Sequence, residues 1–249
     1  MFSLLLSAPL EREDYLAAEL WEAGTAGIVV ENGRLRAFFD AALDSALLLR
    51  RFAEFSPEVR EEAPTDWVQV SRDAWPPLRI GRFFLIAPWR AEATPQGLLR
   101  LEIYPGMACG TGRHPATQLC LEAIGRHVRP GSSMLDIGAG SGILSAAAAL
   151  LGAGRVVGCD IDPDAVAIAR ERVATLLFTG SAEAIRSAWA DVIVANIDAA
   201  SIERIATEMA RVRKPKSTLI LSGFPSSDIP HGFQAKETLR REEWVCLIC

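Results

Sequence analysis

One segment constrains this chain more than any other: Leu135-Asp136-Ile137-Gly138-Ala139-Gly140-Ser141-Gly142. It joins an apolar run over 133–137, which reads as a buried strand, to an alanine-rich stretch over 142–151, which reads as a helix. Glycines at such a junction let the backbone approach a ligand closely and aim the first N–H groups of the helix at it. A glycine-rich turn without a ligand is the competing reading, and the strand–turn–helix context weighs against it. Asp136 lies two residues before the first glycine. A carboxylate there repels a pyrophosphate and attracts an ammonium group. Ile143 also stands where a dinucleotide fingerprint requires its third glycine.

The pattern around the motif defines the fold class. From about residue 105 helices alternate with strands: helices over 115–126, 142–151, 163–174, 183–188 and 200–212, and strands over 133–137, 155–160, 176–179, 191–195, 217–222 and 243–248. Such alternation predicts a doubly wound, Rossmann-like α/β sheet whose ligands sit at the carboxyl ends of its strands. The first 62 residues read differently. Strands over 2–8, 27–31, 35–39 and 58–61 and helices over 11–23 and 42–55 give the order β-α-β-β-α-β, a small ferredoxin-like α+β domain, with Asn32-Gly33 as a hairpin turn. Pro64, Trp67, Trp75, Pro76 and Pro77 mark a linker, the tryptophans serving as packing anchors. Two more strands are expected over 82–87 and 98–104. The expected domains are therefore 1–62, a linker 63–81, and 82–249.

Two further strand ends carry candidate chemistry. Asp160 closes the strand after the glycine motif, where an acid accepts hydrogen bonds from ribose hydroxyls. Asp162, before Pro163, suits a helix N-cap. Asn196 ends the strand over 191–195, where its amide oxygen can orient a reacting amine; an ordinary turn asparagine is the alternative. Asp198 is a candidate proton acceptor, and His114, beside Pro115, reads as a structural residue of a helix start. With Asp136, these residues favour S-adenosylmethionine, which offers an ammonium and no phosphate.

Composition removes other classes. The chain has 249 residues, a net charge of −5 and 50% hydrophobic residues, an ordinary globular balance. With that net charge no direct nucleic-acid partner is expected, because phosphate binding calls for clustered lysines and arginines. No apolar run approaches the length of a membrane span and no basic leader precedes one, so a cytoplasmic protein without membrane attachment is expected. Five irregularly spaced cysteines fit a reducing compartment, and Cys246-Leu247-Ile248-Cys249 lacks the second pair that a zinc site needs.

The chain resembles the PrmA family, the methyltransferases of large-subunit ribosomal protein eleven. The resemblance rests on Pro105-Gly106-Met107-Ala108-Cys109-Gly110-Thr111-Gly112-Arg113-His114-Pro115-Ala116-Thr117, on the glycine motif, on Gly158-Cys159-Asp160-Ile161-Asp162, on Val194-Ala195-Asn196-Ile197, on Leu221-Ser222-Gly223 and on Glu242-Glu243-Trp244. It spans nearly the whole chain. It implies S-adenosylmethionine contacts from Thr117, Gly138, Asp160 and Asn196. Asp136, Gly140, Gly142 and Ile161 complete the expected cofactor-binding set, and Asn196 is the expected catalytic residue. It further implies that the N-terminal domain recognises the ribosomal protein and that the N-terminal α-amine and lysine ε-amines are methylated, by an enzyme expected to be a monomer. Methylation of another protein or small molecule, and a catalytically silent cofactor-binding module, remain the alternatives.

Overall fold

In the computed structural model, residues 1–7, 12–31, 33–62, 75–104 and 112–249 are described. Asn32, the linker residues Pro64 and Trp67, and the segment 105–111 with Cys109 lie outside the described residues, as do residues 8–11. The chain divides into two units, Met1–Ala74 and Trp75–Cys249.

The first unit runs β1 (Phe2–Leu6), α1 (Glu13–Glu22), β2 (Gly27–Glu31), β3 (Arg34–Phe39), α2 (Ser45–Arg51) and β4 (Glu58–Glu61). Its strands pair antiparallel in the order β2-β3-β1-β4, which is the arrangement of a split βαβ unit. Alternate residues explain the two faces. Phe2, Leu4, Leu6, Leu35, Ala37 and Phe39 turn inward to meet Leu16, Leu20 and Phe52. On the other face Arg36 bridges Glu31 at 2.8 Å and Glu62 at 2.6 Å. Asp44 caps α2, accepting from the Ala46 N–H at 2.9 Å. The helix expected over 42–55 is therefore shorter, and a 3-10 turn, Ala53–Phe55, finishes it.

The second unit opens with a three-stranded sheet of β5 (Leu78–Ile80), β6 (Phe83–Ile86) and β7 (Leu99–Glu102). β5 occupies residues expected to be linker; it begins directly after Pro76-Pro77, where a missing N–H is tolerated. The main sheet has seven strands: β8 (Ser133–Ile137), β9 (Arg155–Asp160), β10 (Leu176–Thr179), β11 (Ala190–Asn196), β12 (Arg213–Pro225), β13 (Glu237–Arg241) and β14 (Trp244–Ile248). Their order is β10-β9-β8-β11-β12-β14-β13. All neighbouring pairs from β10 to β12 are parallel, while β14 is antiparallel to both its neighbours. The helices are α3 (Pro115–His127), α4 (Ile143–Leu150), α5 (Pro163–Arg170), α6 (Ala199–Arg204) and α7 (Ala206–Val212). They cover both faces. Met134, Val194 and Ile220 share one core with residues of α3 and α4, and Leu135, Ala195 and Leu221 share the other with Ile202 and Met209. Cys246 and Cys249 fall in opposite cores, as a separation of three along a strand dictates. The chain order reverses between β9 and β11, on either side of β8, which places the switch point at the glycine motif.

Four more expectations change. The helix over 183–188 is a 3-10 turn, Ala182–Ala184, in which the Ala182 carbonyl accepts from the Ile185 N–H at 3.0 Å while Arg211 donates to the carbonyls of Ile185, Ala182 and Glu183. The helix over 163–174 stops at Arg170, whose guanidinium donates twice to the Leu177 carbonyl. The helix over 200–212 breaks at Ile205. β13 falls outside every helix and strand expected from the sequence and is tied to α3 by Arg126–Glu237 at 2.7 Å and Arg241–Glu122 at 2.5 Å.

Candidate active site

The carboxyl ends of β8, β9 and β11 meet the first turn of α3. Gly138, Gly140 and Gly142 all have positive φ, at +71°, +51° and +76°, conformations that side-chain-bearing residues avoid. Their neighbours differ. Gly138 and Ala139 donate to the Cys159 carbonyl at 2.8 and 3.0 Å, which fastens the loop to β9. The Gly140 N–H donates to Asp160 Oδ2 at 2.8 Å. Gly142 caps α4, and a Cβ there would lie 2.8 Å from Val173 Cγ2, so that glycine permits close approach of the segment that follows α5.

Asp160 therefore braces the loop it faces. Its other oxygen accepts from the Asp162 N–H at 3.1 Å, and each oxygen retains lone-pair capacity for a hydroxyl. Asp162 caps α5 by accepting from the Asp164 N–H at 2.9 Å, as its place before Pro163 predicts. Ile161 is 78% exposed, an apolar side chain presented to solvent at the same strand end.

Asp136 is fully buried and turned toward α4, where Ser145 Oγ donates to its Oδ2 at 2.7 Å. Burial pushes its pKa up to about 6, the nearby Asp160 charge adds to the rise, and the Ser145 bond opposes it. Its Oδ1 has no hydrogen-bond partner among the described residues. Ser145 went unnoticed in the sequence, because only the folded turn of α4 shows that a residue nine positions on reaches the carboxylate.

Asn196 ends β11 opposite Ser222 of β12. Its Nδ2 donates to Thr117 Oγ1 at 3.1 Å, so the first turn of α3 fixes the amide. Its Oδ1 is buried and unpartnered among the described residues. Two neighbouring strand ends thus each carry a buried acceptor without a donor. Leaving such an atom unpaired costs about 1–3 kcal/mol. An ammonium or amine ligand brings donors that the described residues do not supply to these two atoms.

The remaining candidates have structural duties. His114 caps α3 by accepting the Ala116 N–H at Nδ1, 3.3 Å away, and its ring meets Trp244 edge-on at 4.3 Å. Asp198 caps α6 by accepting from the Ser201 N–H at 2.8 Å, and Ser201 holds its carboxyl below the ordinary range. A carboxylate pulled down in this way is a weaker base, which counts against the expected proton acceptor. A cavity of about 360 Å³ lies beside the loop, lined by Tyr104, Ser141, Ile143, Arg172 and Thr175, but Thr117, Asp160 and Asn196 do not line it. Among the described residues no group of His, Cys, Asp or Glu could hold a metal, and no helix is long and apolar enough to cross a membrane.

A sheet of this order, with the glycine loop at its switch point and an acid ending the next strand, defines the fold of an S-adenosylmethionine-dependent methyltransferase. A solved ribosomal protein L11 methylase from Lactobacillus delbrueckii subsp. bulgaricus has that fold: it is 26% identical, with a TM-score of 0.62 over 69% of this chain and 96% of its own. The model of the family described as ribosomal protein L11 methyltransferase (PrmA) matches residues 7–249, and the chain belongs to that family. Relatives named ribosomal protein L11 methyltransferase include one from Geobacter metallireducens, 37% identical across 96% of this chain and 94% of the relative. Another, from Deinococcus radiodurans, is 37% identical across 85% and 80%. The chain is thus an S-adenosylmethionine-dependent protein methyltransferase.

Proposed function

We propose that this enzyme methylates the N-terminal α-amine and lysine ε-amines of ribosomal protein L11 in the cytoplasm, acting as a monomer, with the N-terminal unit recognising the protein substrate. The observation that carries the reading is the buried Oδ1 of Asn196, unpartnered among the described residues and held in place through Thr117. In it, Asp136 supplies the negative charge for an ammonium, Asp160 takes ribose hydroxyls, and Ile161 offers the cofactor an exposed apolar side chain at the same strand end. Gly138, Gly140 and Gly142 shape the backbone that lies against the cofactor, and Thr117 holds Asn196 over the methyl donor.

Bound S-adenosylmethionine supplies an electrophilic methyl group on a sulfonium. The residues of this chain have to present a neutral amine to it. Asn196 Oδ1 accepts an N–H of the amine and so aims the nitrogen lone pair, a contribution of orientation. Asp198 and His114, the two candidate proton acceptors, are committed to helix caps. The amine therefore arrives already deprotonated. At pH 7 that costs about 4.6 kcal/mol for a lysine and about 1–1.4 kcal/mol for an α-amine, from their ordinary pKa values. The α-amine is accordingly the more reactive acceptor at neutral pH.

The test is intact-protein mass spectrometry of recombinant L11 incubated with the enzyme and S-adenosylmethionine, beside Asn196→Ala. Methyl-sized increments are expected with the wild type, with turnover lowered about 100-fold in the variant and cofactor affinity changed far less. Equal losses of turnover and affinity would remove the orienting role of Asn196, and no increment from the wild type would remove the substrate.

A further inference from the structure

We infer that Ile197, which no ligand role claims, is a positioning residue that locks the glycine loop to the Asn196 strand end. The inference rests on the reading of these strand ends as the cofactor and amine site. Two glycines on separate elements close on this one residue. A Cβ at Gly138 would lie 2.3 Å from Ile197 Cγ2, well inside contact distance, so the loop backbone sits directly on that methyl. A Cβ at Gly223 would lie 2.5 Å from the Ile197 carbonyl oxygen and 2.6 Å from its nitrogen. Gly223 has φ +100° and falls in the irregular stretch where the β12–β14 register shifts between Leu221 and Phe224. The bulge brings β12 backbone hard against the peptide that follows Asn196.

The flanking residues are fixed as well. Asn196 is held by Thr117 and Asp198 caps α6, so residues 196–198 cannot slide without breaking one of these contacts. A β-branched side chain has few χ1 choices, which makes Cγ2 a stiff strut. The strut sets the separation between Gly138, on the loop, and the Asn196 amide. Misplacement of reacting groups by about 1 Å costs on the order of 100-fold in rate, so this separation is a property the reaction depends on.

The experiment compares Ile197→Val, which keeps the Cβ branch, with Ile197→Leu, which keeps the volume and moves the branch. Hydrogen exchange of the Gly138 and Gly140 amides is read with and without S-adenosylhomocysteine, together with kcat, KM for L11 and melting temperature. Ile197→Val is expected within about twofold of wild type throughout. Ile197→Leu is expected to exchange about tenfold faster at those amides and to lose about tenfold in kcat, with KM and melting temperature unchanged. Wild-type exchange in the Leu variant would overturn the inference, as would equal effects of Val and Leu or a loss that follows melting temperature. Because exchange is read on the enzyme alone, a wild type that fails to methylate L11 would sink the substrate reading and leave this question decided.

Discussion

Asp136 carries its charge where the protein opposes it. Its pKa stands near 6 against an ordinary 3.8, chiefly because it is buried. The folded state thus holds the proton more tightly than the unfolded chain does. The associated stability is complete below pH 3.8 and is lost as pH rises through 6. About two units correspond to about 3 kcal/mol at neutral pH, an upper bound because an amide needs its own partner. Asp136→Asn is therefore expected to melt higher than wild type at pH 7.5, with the difference closing below pH 4, while its affinity for S-adenosylmethionine falls. Thermal melts across that range and calorimetry check both signs, and a variant less stable at pH 7.5 would show that the carboxylate is not strained. At this scale the sequence was informative about which residues gather. The glycine loop, Asp160 and Asn196 do converge, since strand–turn–helix spacing puts them at the carboxyl ends of one parallel sheet. It could not show their partners. Ser145, Thr117 and Gly223 act on Asp136, Asn196 and Ile197 from other elements, and such pairings are made only by tertiary structure.

Elements were legible where their own periodicity decides them, and illegible where a distant side chain does. The parallel strands β8, β9 and β11 are short apolar runs and sit where the pattern puts them. The expected helix over 183–188 fails because Arg211, on α7, donates to the Ile185 carbonyl at 2.7 Å, the Ala182 carbonyl at 3.1 Å and the Glu183 carbonyl at 3.3 Å. The Ile185 and Glu183 carbonyls are thereby taken up by a side chain, the Ala182 carbonyl also keeps its 3-10 bond from the Ile185 N–H at 3.0 Å, and Ala188 follows with φ +49°. β13 was invisible for a related reason. Glu-Thr-Leu-Arg-Arg has no apolar alternation, and the charges that protect this edge strand also tie it to α3. Arg211 thus does for one loop what backbone pairing does elsewhere. Arg211→Ala is expected to lower unfolding free energy by about 1 kcal/mol, since two part-buried carbonyls and one exposed carbonyl lose a side-chain donor. Arg211→Lys is expected to restore little of it, because one ammonium cannot reproduce a planar fork. Denaturant titration of the three proteins measures this, and full recovery by lysine would mean that charge rather than geometry holds the turn.

At the scale of the whole molecule the core residues sort cleanly. The first unit's core draws on β1, β3, α1 and α2 with their connections, from Phe2 to Phe55. The cores that hold the candidate site draw on residues from Trp75 onward. A unit with its own core and its own sheet needs no neighbour to bury its apolar face. The glycine loop, Asp160, Asn196 and Thr117 all belong to the second unit, so everything proposed to hold the cofactor is present in residues 75–249. If the first unit serves to recognise the protein substrate, the two tasks are separable. Residues 75–249 expressed alone are expected to melt cooperatively and to bind S-adenosylmethionine within a fewfold of the full chain, and to lose transfer to L11 by at least about 100-fold at equal enzyme concentration. The loss should appear as KM, because binding made equally in ground and transition states is what the missing unit removes. Calorimetry with S-adenosylmethionine and intact-protein mass spectrometry of L11 separate the two properties. A truncated protein that still methylates L11 at the full rate would place substrate recognition on the catalytic unit itself, and one that neither melts cooperatively nor binds cofactor would mean that the second unit depends on the first to fold.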